Sequence, residues 1–378
     1  MSMMKFGIDY RINILFSGLV VVGMFFCACR KSHRRPTEAV SADQEKLTSV
    51  METPAEKPVS PVLLSLELRN LAKEYFSGNS AQSVAAVDSF SLQLDSAALF
   101  LSSKLFMEPD PHRSIDAITE YIFTKWAVTF DSNRDNPATL FPHAVLQGKK
   151  GSCVGMSLLY LLFAEKMGLP VYGVLAPEHL FVRYDNGKVR FNIETLRKGE
   201  SMSDGWYRQR WAIRDTGLYP LNNLSPAGVL AVVHYNIGNI FMLREETGKA
   251  REHFMKALEF LPGFPEALGN LALVYEADGN PQQALEILAA IKKKHPAFRN
   301  IDGNLAALQL KCGKYIAALS LYSQLSQCNP ENPDFLYGRG VALFNLNRGE
   351  EAADALQRAI ELKPAYPEAR QLLERIGK

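Results

Sequence analysis

A pattern of small and apolar residues recurs every 34 residues in the last part of the chain. Within each copy, glycine or alanine stands at position 8, a large apolar residue at 11, alanine at 20, an apolar or aromatic residue at 24 and proline at 32. Four copies follow one another without an insertion, and only Gln309 departs from the pattern. The matching residues are Gly238, Phe241, Ala250, Phe254, Ala257 and Pro262; Ala272, Tyr275, Ala284, Leu288 and Pro296; Ala306, Ala318, Tyr322 and Pro330; and Gly340, Leu343, Ala352, Leu356, Ala359 and Pro364. A fixed period of this length limits the region to stacked copies of one small unit.

Each copy predicts two packed helices. Small residues at positions 8 and 20 let the helices of a pair approach closely, larger residues at 11 and 24 fill the space between them, and proline ends the second helix. This is the period and pattern of tetratricopeptide repeats. We therefore predict an all-α repeat solenoid over 219–378, with repeats at 231–264, 265–298, 299–332 and 333–366 and a capping helix at 367–378. An ordinary helical bundle is the alternative. The array predicts a groove that docks a protein or peptide partner.

The charge balance and the cysteines argue against two kinds of site. The chain has 42 lysines and arginines against 40 aspartates and glutamates, so it lacks the basic excess that a nucleic-acid partner requires. No CxxC pair or Cys/His cluster has the spacing of a zinc site, and we expect neither a metal nor a cofactor. Cys312 and Cys328 fall near opposite ends of a helical pair, which predicts packing roles rather than a disulfide.

Residues 1–28 have the pattern of an export signal or a membrane anchor. Lys5 and Arg11 precede an uncharged run from Ile12 to Ala28, and Cys29 follows directly. This order is typical of a bacterial lipoprotein signal, which predicts lipid on Cys29 and a protein that faces the periplasm. The alternative is an uncleaved anchor, because the basic residues just after the run would hold the body of the protein on the cytoplasmic face of the inner membrane. Both alternatives tether the chain to a membrane.

Composition separates this segment from a second folded region. Residues 29–60 are polar and contain several prolines, a composition that cannot bury a core and predicts a disordered linker. From residue 61 to 218 we predict a domain with both helices and strands. Its first part, Pro61 to Trp126, has apolar residues at the spacing of three and four that marks one face of a helix.

Cys153 stands at the start of a predicted buried helix. Ser152 is a good N-cap, Gly168 is a good C-terminal stop, and the run from Val154 to Met167 is apolar almost all round. In the first turn of a helix, the unpaired backbone N–H groups and the helix dipole favour a thiolate. Cys153 is therefore a candidate nucleophile, although a buried and inert cysteine is the alternative. His143 lies near it in sequence, and we expect that histidine to have a packing role.

Two strands after that helix bring a histidine and a carboxylate together. His179–Tyr184 and Lys188–Thr195 have strand patterns, and Asn186-Gly187 between them predicts a two-residue type I′ turn. Opposed residue numbers then add to 373, so that His179 faces Glu194. A carboxylate beside a histidine orients the imidazole and stabilises its charged form.

Two other pairs follow from the same register. Asn192 lies on the face of His179 and Glu194, one diagonal step away, and is a possible auxiliary residue. Arg183 faces Arg190, and these like charges repel, which counts against the register. The opposite face carries apolar pairs, such as Leu180 with Ile193, and is predicted to face the core.

The residues around the cysteine and the histidine resemble the transglutaminase-like superfamily. The resemblance spans roughly residues 63–366, and its most specific parts are 151–160, 168–170, 177–184 and 192–195. It is strongest with the bacterial branch in which an α+β transglutaminase-like, papain-like domain is followed by tetratricopeptide repeats. It implies that Cys153 is the nucleophile, His179 the general base and Glu194 the acidic third member. That superfamily more often has aspartate at the position of Glu194, and commonly glycine at that of Glu178.

Two functional hypotheses follow. In the first, the chain is a membrane-tethered cysteine hydrolase or acyltransferase that acts on an amide or ester through a thioester, with the repeats presenting a protein partner. In the second, it is a non-catalytic membrane-anchored adaptor, and the middle domain is a structural platform. The intact cysteine, histidine and carboxylate favour the enzyme.

Overall fold

The computed structural model describes residues 63–76, 81–105, 110–133, 136–213, 218–298 and 300–377. The predicted signal or anchor, with Cys29, and the predicted linker lie outside these residues. The chain divides into two compact units, one spanning Leu47–Ala267 and the other containing Leu268–Lys378. The two helices of the first repeat therefore fall within the first unit, whereas the sequence divides the domains at residue 218.

Helices make up the first part of the unit within Leu47–Ala267. They are α1 (Leu64–Tyr75), α2 (Ala81–Leu105), α3 (Pro111–Glu120, continued by a π-helical turn over Tyr121–Lys125), α4 (Pro142–Gly148) and α5 (Cys153–Met167). The short strands β1 (Thr129–Phe130) and β2 (Lys150–Gly151) pair in parallel just before α5. Every residue of α5 from Val154 to Ala164 is buried, as its apolar sequence predicts. Its Glu165 carboxylate accepts hydrogen bonds from the backbone N–H groups of Leu64 and Ser65 and so caps α1.

The sheet that follows α5 is antiparallel and has the order β5-β4-β3-β6. Its strands are β3 (Val171–Ala176), β4 (His179–Asp185), β5 (Arg190–Ile193) and β6 (Asn223–Leu224), and α6 (Asp204–Arg210) lies between β5 and β6 in the chain. β4 is buried on both faces, because α5 packs against the sheet on one side and an aromatic cluster from α6 covers the other. The sequence predicted only one covered face.

The predicted register of β4 and β5 is wrong by two residues. Val182 pairs with Ile193 and Tyr184 pairs with Phe191, so opposed numbers add to 375 rather than 373. The cause is Asn186, whose side-chain oxygen accepts from the backbone N–H groups of Lys188 and Val189 at 3.0 and 2.7 Å and closes a longer loop. A shift of two preserves which side chains share a face. It also removes the clash of like charges, because Arg183 now faces Asn192.

The start of α5 is clamped by the loop before it. Ser152 caps the helix by accepting from Gly155 N–H, and the backbone oxygen of Thr139 accepts from both the N–H and the hydroxyl of Ser152, at 2.8 and 3.0 Å. This oxygen comes so close that a Cβ built on Gly155 would lie 2.1 Å from it. Glycine at 155 thus lets the Thr139 loop hold the residue that precedes Cys153.

We expect Gly155→Ala to lower the free energy of unfolding by about 2–3 kcal/mol, because the added methyl group meets backbone rather than a movable side chain. Urea unfolding followed by tryptophan fluorescence measures the change. Gly148→Ala is the matched control, since a Cβ there meets nothing within 4 Å and the change should stay within about 1 kcal/mol. Equal effects of the two substitutions would contradict the clamp.

From Pro226 on, the described residues form helices joined by short turns, whereas β6, inside the predicted repeat region of 219–378, belongs to the sheet. The helices are α7 (Pro226–Leu243), α8 (Thr247–Phe260), α9 (Pro265–Ala277), α10 (Pro281–Lys294), α11 (Ile301–Lys311), α12 (Tyr315–Cys328), α13 (Pro333–Asn345), α14 (Gly349–Leu362) and α15 (Pro367–Ile376). The pattern of small residues is confirmed in its contacts. A Cβ on Gly340 would lie 2.8 Å from Leu356, and one on Gly238 would lie 2.5 Å from Phe254. Each second helix ends two residues before its proline. Cys328, however, is exposed rather than packed.

Candidate functional site

Three side chains singled out by the sequence meet where α5 and β4 begin. The Cys153 thiol forms a hydrogen bond with the His179 ring. On the other side of the ring, Nε2 of His179 lies 2.9 Å from Oε2 of Glu194. Because Nε2 faces the carboxylate, Nδ1 is the nitrogen that remains for the sulfur. His179 is 4% exposed and Glu194 1% exposed, whereas Cys153 keeps partial access to solvent.

The pKa of His179 reflects opposing influences. Burial is the largest, and alone it would lower the pKa. The hydrogen bonds with Cys153 and Glu194, together with the negative charges of the two groups, outweigh burial and raise the pKa to about 9. An imidazole that stays protonated beside a thiol stabilises the thiolate, since each charged form favours the other. The arrangement can therefore supply a nucleophile and a proton donor at neutral pH.

Glu194 reaches His179 from a diagonal position. With the register corrected, Glu194 continues β5 beside Phe181 rather than opposite His179. Its Oε1 accepts from Leu196 N–H at 2.9 Å, which leaves Oε2 for the histidine. The backbone N–H of Glu194 is also bound, to Glu200 O at 2.9 Å. Glu194 is thus held by two local contacts and has the length to cross the diagonal.

An aromatic wall beside the histidine was missed by the sequence analysis. The rings of Trp211 and His179 stack 4.4 Å apart with 5° between their planes. Tyr207 of α6 stacks on Phe181 at 3.7 Å and extends the wall, and Trp206 packs edge-on against Tyr207. The wall excludes water from one side of the His179–Glu194 pair, which strengthens their interaction. The close spacing of these aromatic residues after β5 was the available signal.

Asn192 does not contact His179. Its side-chain oxygen accepts from Arg183 Nε at 2.6 Å, and its amide donates to Met202 O and to Asp204, each at 2.8 Å. The guanidinium of Arg183 also donates to Leu221 O at 2.6 Å and to Asp204 at 2.7 Å, and its side chain is fully buried. Asn192 is therefore placed to hold the segment that carries Tyr207 and Trp211.

The turn before the histidine has an uncommon backbone. Pro177 and Glu178 connect β3 to β4, and Glu178 has a φ of 56°, which glycine adopts more easily than other residues. Glu178 itself is exposed, next to a buried His179.

The other features of the unit lie apart from this site. His143 is buried in α4, its ring 5.1 Å from that of Phe76, and burial lowers its pKa to about 4, in keeping with packing. It lines a cavity of about 220 Å³ between α1, α2, α4 and α5 that does not include Cys153. Among the described residues, no group of three or more His, Cys, Asp or Glu side chains is placed to hold a metal ion.

Comparison with known proteins agrees with both halves of the chain. The transglutaminase-like superfamily model matches residues 88–221, and a tetratricopeptide repeat model matches residues 241–312 and 309–376. The chain is 22% identical over 197 residues to a UPF0162 protein of Xylella fastidiosa (strain Temecula1), a match that covers 49% of this chain and 69% of that protein. It is 26% identical over 142 residues to the cellulose synthase operon protein C of Pseudomonas fluorescens, a match that covers 37% of this chain and 11% of that protein.

Among solved structures, similar chains include MamA from Desulfovibrio magneticus RS-1, with 21% identity, a TM-score of 0.37, and coverage of 39% of this chain and 82% of that one. YrrB, described as a tetratricopeptide repeat protein with an unusual peptide-binding site, has 23% identity and a TM-score of 0.35, and the match covers 37% of this chain and 73% of that one.

Proposed function

We propose that this chain, which carries a transglutaminase-like domain followed by tetratricopeptide repeats, is a membrane-tethered cysteine hydrolase or acyltransferase that acts on amides or esters. The observation that carries the proposal is the unbroken chain of hydrogen bonds from the Cys153 thiol through the His179 ring to the Glu194 carboxylate. A buried histidine bonded on both sides by such groups has the arrangement of a nucleophile, its acid–base partner and an orienting acid.

The reaction begins with the Cys153 thiolate. The sulfur attacks the carbonyl carbon of an amide, and His179 gives its proton to the nitrogen as the C–N bond breaks and the amine leaves. The product on the enzyme is a thioester. Water or a second amine then loses its proton to His179 and attacks the same carbon, and the C–S bond breaks to restore the sulfur anion beside the charged imidazole. Glu194 keeps the ring oriented through both steps.

The start of α5 would stabilise the oxyanion of each tetrahedral intermediate. Cys153 is the first residue of α5, where backbone N–H groups point out of the helix and its dipole favours negative charge. The Ser152 cap and the Thr139 clamp fix that turn, so the donors do not have to reorganise during the reaction.

The remaining segments place this chemistry. Tetratricopeptide repeats are protein-interaction scaffolds, and the repeats here would hold a protein or peptide partner near the reactive domain. The peptide-binding site of YrrB is an example of such use in a similar protein. Residues 1–28 would tether the chain to a bacterial membrane, either through lipid on Cys29 or as an uncleaved anchor.

A simple ester tests the chemistry without knowledge of the natural substrate. We expect the full chain to react with p-nitrophenyl acetate in a burst of p-nitrophenol, and mass spectrometry to find the acetyl group on Cys153. Release of acetate would indicate hydrolysis, and transfer to an added alkylamine would indicate acyl transfer. Cys312 and Cys328 are internal controls, because both are free thiols within the repeats.

Acetylation of Cys153 that is no faster than that of Cys312, together with no burst, would contradict the proposed enzyme. That result would favour the non-catalytic adaptor. Cys153→Ala gives the background and should abolish the burst while leaving acetylation of Cys312 unchanged.

A further inference from the structure

The outer face of α2 is uncharged and partly apolar. It is defined by Ser89, Leu92, Gln93, Ser96, Leu99, Phe100 and Ser103, all of them exposed and all on one side of the helix. Leu92 is 69% exposed, Leu99 73% and Phe100 43%. Exposure of these three apolar side chains on one helix face is unfavourable, since removing each of them from water lowers the free energy.

The opposite face of α2 is packed into the fold. Leu94, Ala97, Ala98 and Leu101 are all buried, and the helix contacts α1, α4 and α5. Among the described residues, α2 and α7 contain stretches long and apolar enough to cross a membrane by length and composition. For α2, the packed face means that the helix lies along the surface of its domain. Its outer face is thus open to a flat partner that covers one side of the helix, whereas a membrane-spanning helix would be surrounded by lipid.

Two lysines lie at one end of the outer face. The Lys104 and Lys125 ammonium groups lie 4.6 and 4.9 Å from the centre of the Phe100 ring. The two carboxylates on the sides of α2 are both paired, Asp88 with Arg69 and Lys73, and Asp95 with Lys166. These contacts involve five cations and two carboxylates, so a partner that fits this surface carries negative charge.

Aromatic residues complete the surface. A shallow groove between α2 and the π-helical turn is lined by Ser89, Leu92, Gln93 and Ser96 on one side and by Tyr121 and Trp126 on the other. Lys125 also lies over the Tyr121 ring, at 4.6 Å. Exposed leucine and phenylalanine with tyrosine and lysine at the margin are the composition that suits the boundary between lipid headgroups and acyl chains, whereas Trp126 is itself buried at the base of the groove.

We propose that the outer face of α2 rests on the surface of a bilayer that contains anionic lipid. Its apolar side chains enter the headgroup boundary, and Lys104 and Lys125 bind lipid phosphates. The inference rests on the membrane tether of the proposed function, and not on its chemistry. Between Cys29 and Leu63, where the described fold begins, the chain spans at most about 120 Å. A tether of this length keeps the face at high local concentration near the bilayer, so that a weak contact suffices.

Photocrosslinking tests the contact. p-Benzoylphenylalanine replaces Leu99 in the full chain, which is mixed with vesicles of phosphatidylcholine and phosphatidylglycerol and irradiated, and adducts are identified by mass spectrometry. The matched control carries the probe at Phe130, an apolar residue of the same unit that is 47% exposed. We expect lipid adducts at Leu99 to exceed those at Phe130 by on the order of tenfold.

The contribution of the two lysines is tested in the same way. Lys104→Gln combined with Lys125→Gln should lower the Leu99 lipid adduct by on the order of tenfold in phosphatidylglycerol vesicles, with no change in acetylation of Cys153. Equal adducts at Leu99 and Phe130 on chains that float with the vesicles would overturn the α2 contact and leave the tether intact. A protein adduct at Leu99, from a second copy or another protein, would overturn it as well. Chains that do not float at all would overturn both the contact and the tether, while the ester reaction at Cys153 would still report on the enzyme.

Discussion

Replacing His179 by alanine is expected to slow the alkylation of Cys153 at pH 6 by about two orders of magnitude. An ordinary cysteine has a pKa of about 8.5, so less than about 1% of it is thiolate at pH 6. A charged His179, whose pKa is raised to about 9, stabilises the thiolate of Cys153 at that pH. Without the imidazolium, Cys153 returns towards the ordinary value, and the helix start alone retains part of the effect.

Iodoacetamide labelling of the full chain over a pH series measures this change. The wild-type rate should stay high well below pH 8, whereas the rate in His179→Ala should fall with pH as that of Cys312 does in the same chain. Glu194→Gln is the intermediate variant, because the amide can still accept from or donate to the ring but carries no charge to support the imidazolium. If the Cys153 rate followed that of Cys312 in the wild type, the proposed ion pair between the Cys153 thiolate and the His179 imidazolium would be contradicted.

The raised pKa of His179 also makes a prediction for stability with a definite sign. Because the folded value is about 9 and the unfolded value about 6.5, protonation stabilises the fold. This contribution is fully present below about pH 6.5 and is lost as the pH rises through 9. Alkaline conditions should therefore weaken the site before they affect the repeats.

The features that the sequence predicted correctly are those set by local spacing. The repeats follow from a period that recurs in four copies, and the limits of α5 follow from Ser152 and Gly168, which end it as N-cap and C-cap. The meeting of His179 with Glu194 was derived from a register that is wrong, and it survives because the error is an even number of residues. An error of one would have separated them onto opposite faces.

The features that the sequence did not predict depend on choices between two local structures or on distant segments. Asn186 can enter a type I′ turn or close a longer loop with its side chain, and the strand pattern of both alternatives is the same. The stacking of Trp211 on His179 joins residues that are 32 positions apart through α6, and no periodicity records it. The fold of that segment is instead set by the buried Arg183.

Arg183→Met is expected to lower the free energy of unfolding by about 3–5 kcal/mol. Methionine fills most of the space but cannot donate, so the buried acceptors Leu221 O and the side-chain oxygen of Asn192 lose their partner. Asp204, at 41% exposure, can turn to water and limits the cost. Since Asp204 is the first residue of α6, its release also loosens the segment that leads to Trp211.

Arg190→Met is the matched control for this prediction. Arg190 binds the same carboxylate, with 3.3 Å between its NH2 group and Asp204 Oδ2, but its side chain is 52% exposed, and a surface pair of this kind contributes at most about 1 kcal/mol. Urea unfolding at pH 7 compares the two variants, and near-ultraviolet circular dichroism should report looser packing of Trp211 in Arg183→Met only. If Arg183→Met lowered the free energy of unfolding no more than Arg190→Met, the buried guanidinium would not be what holds α6 against the sheet.

In Arg183→Met, low-pH alkylation of Cys153 should fall together with the dichroism signal, because the aromatic wall that shields His179 and Glu194 from water depends on Arg183.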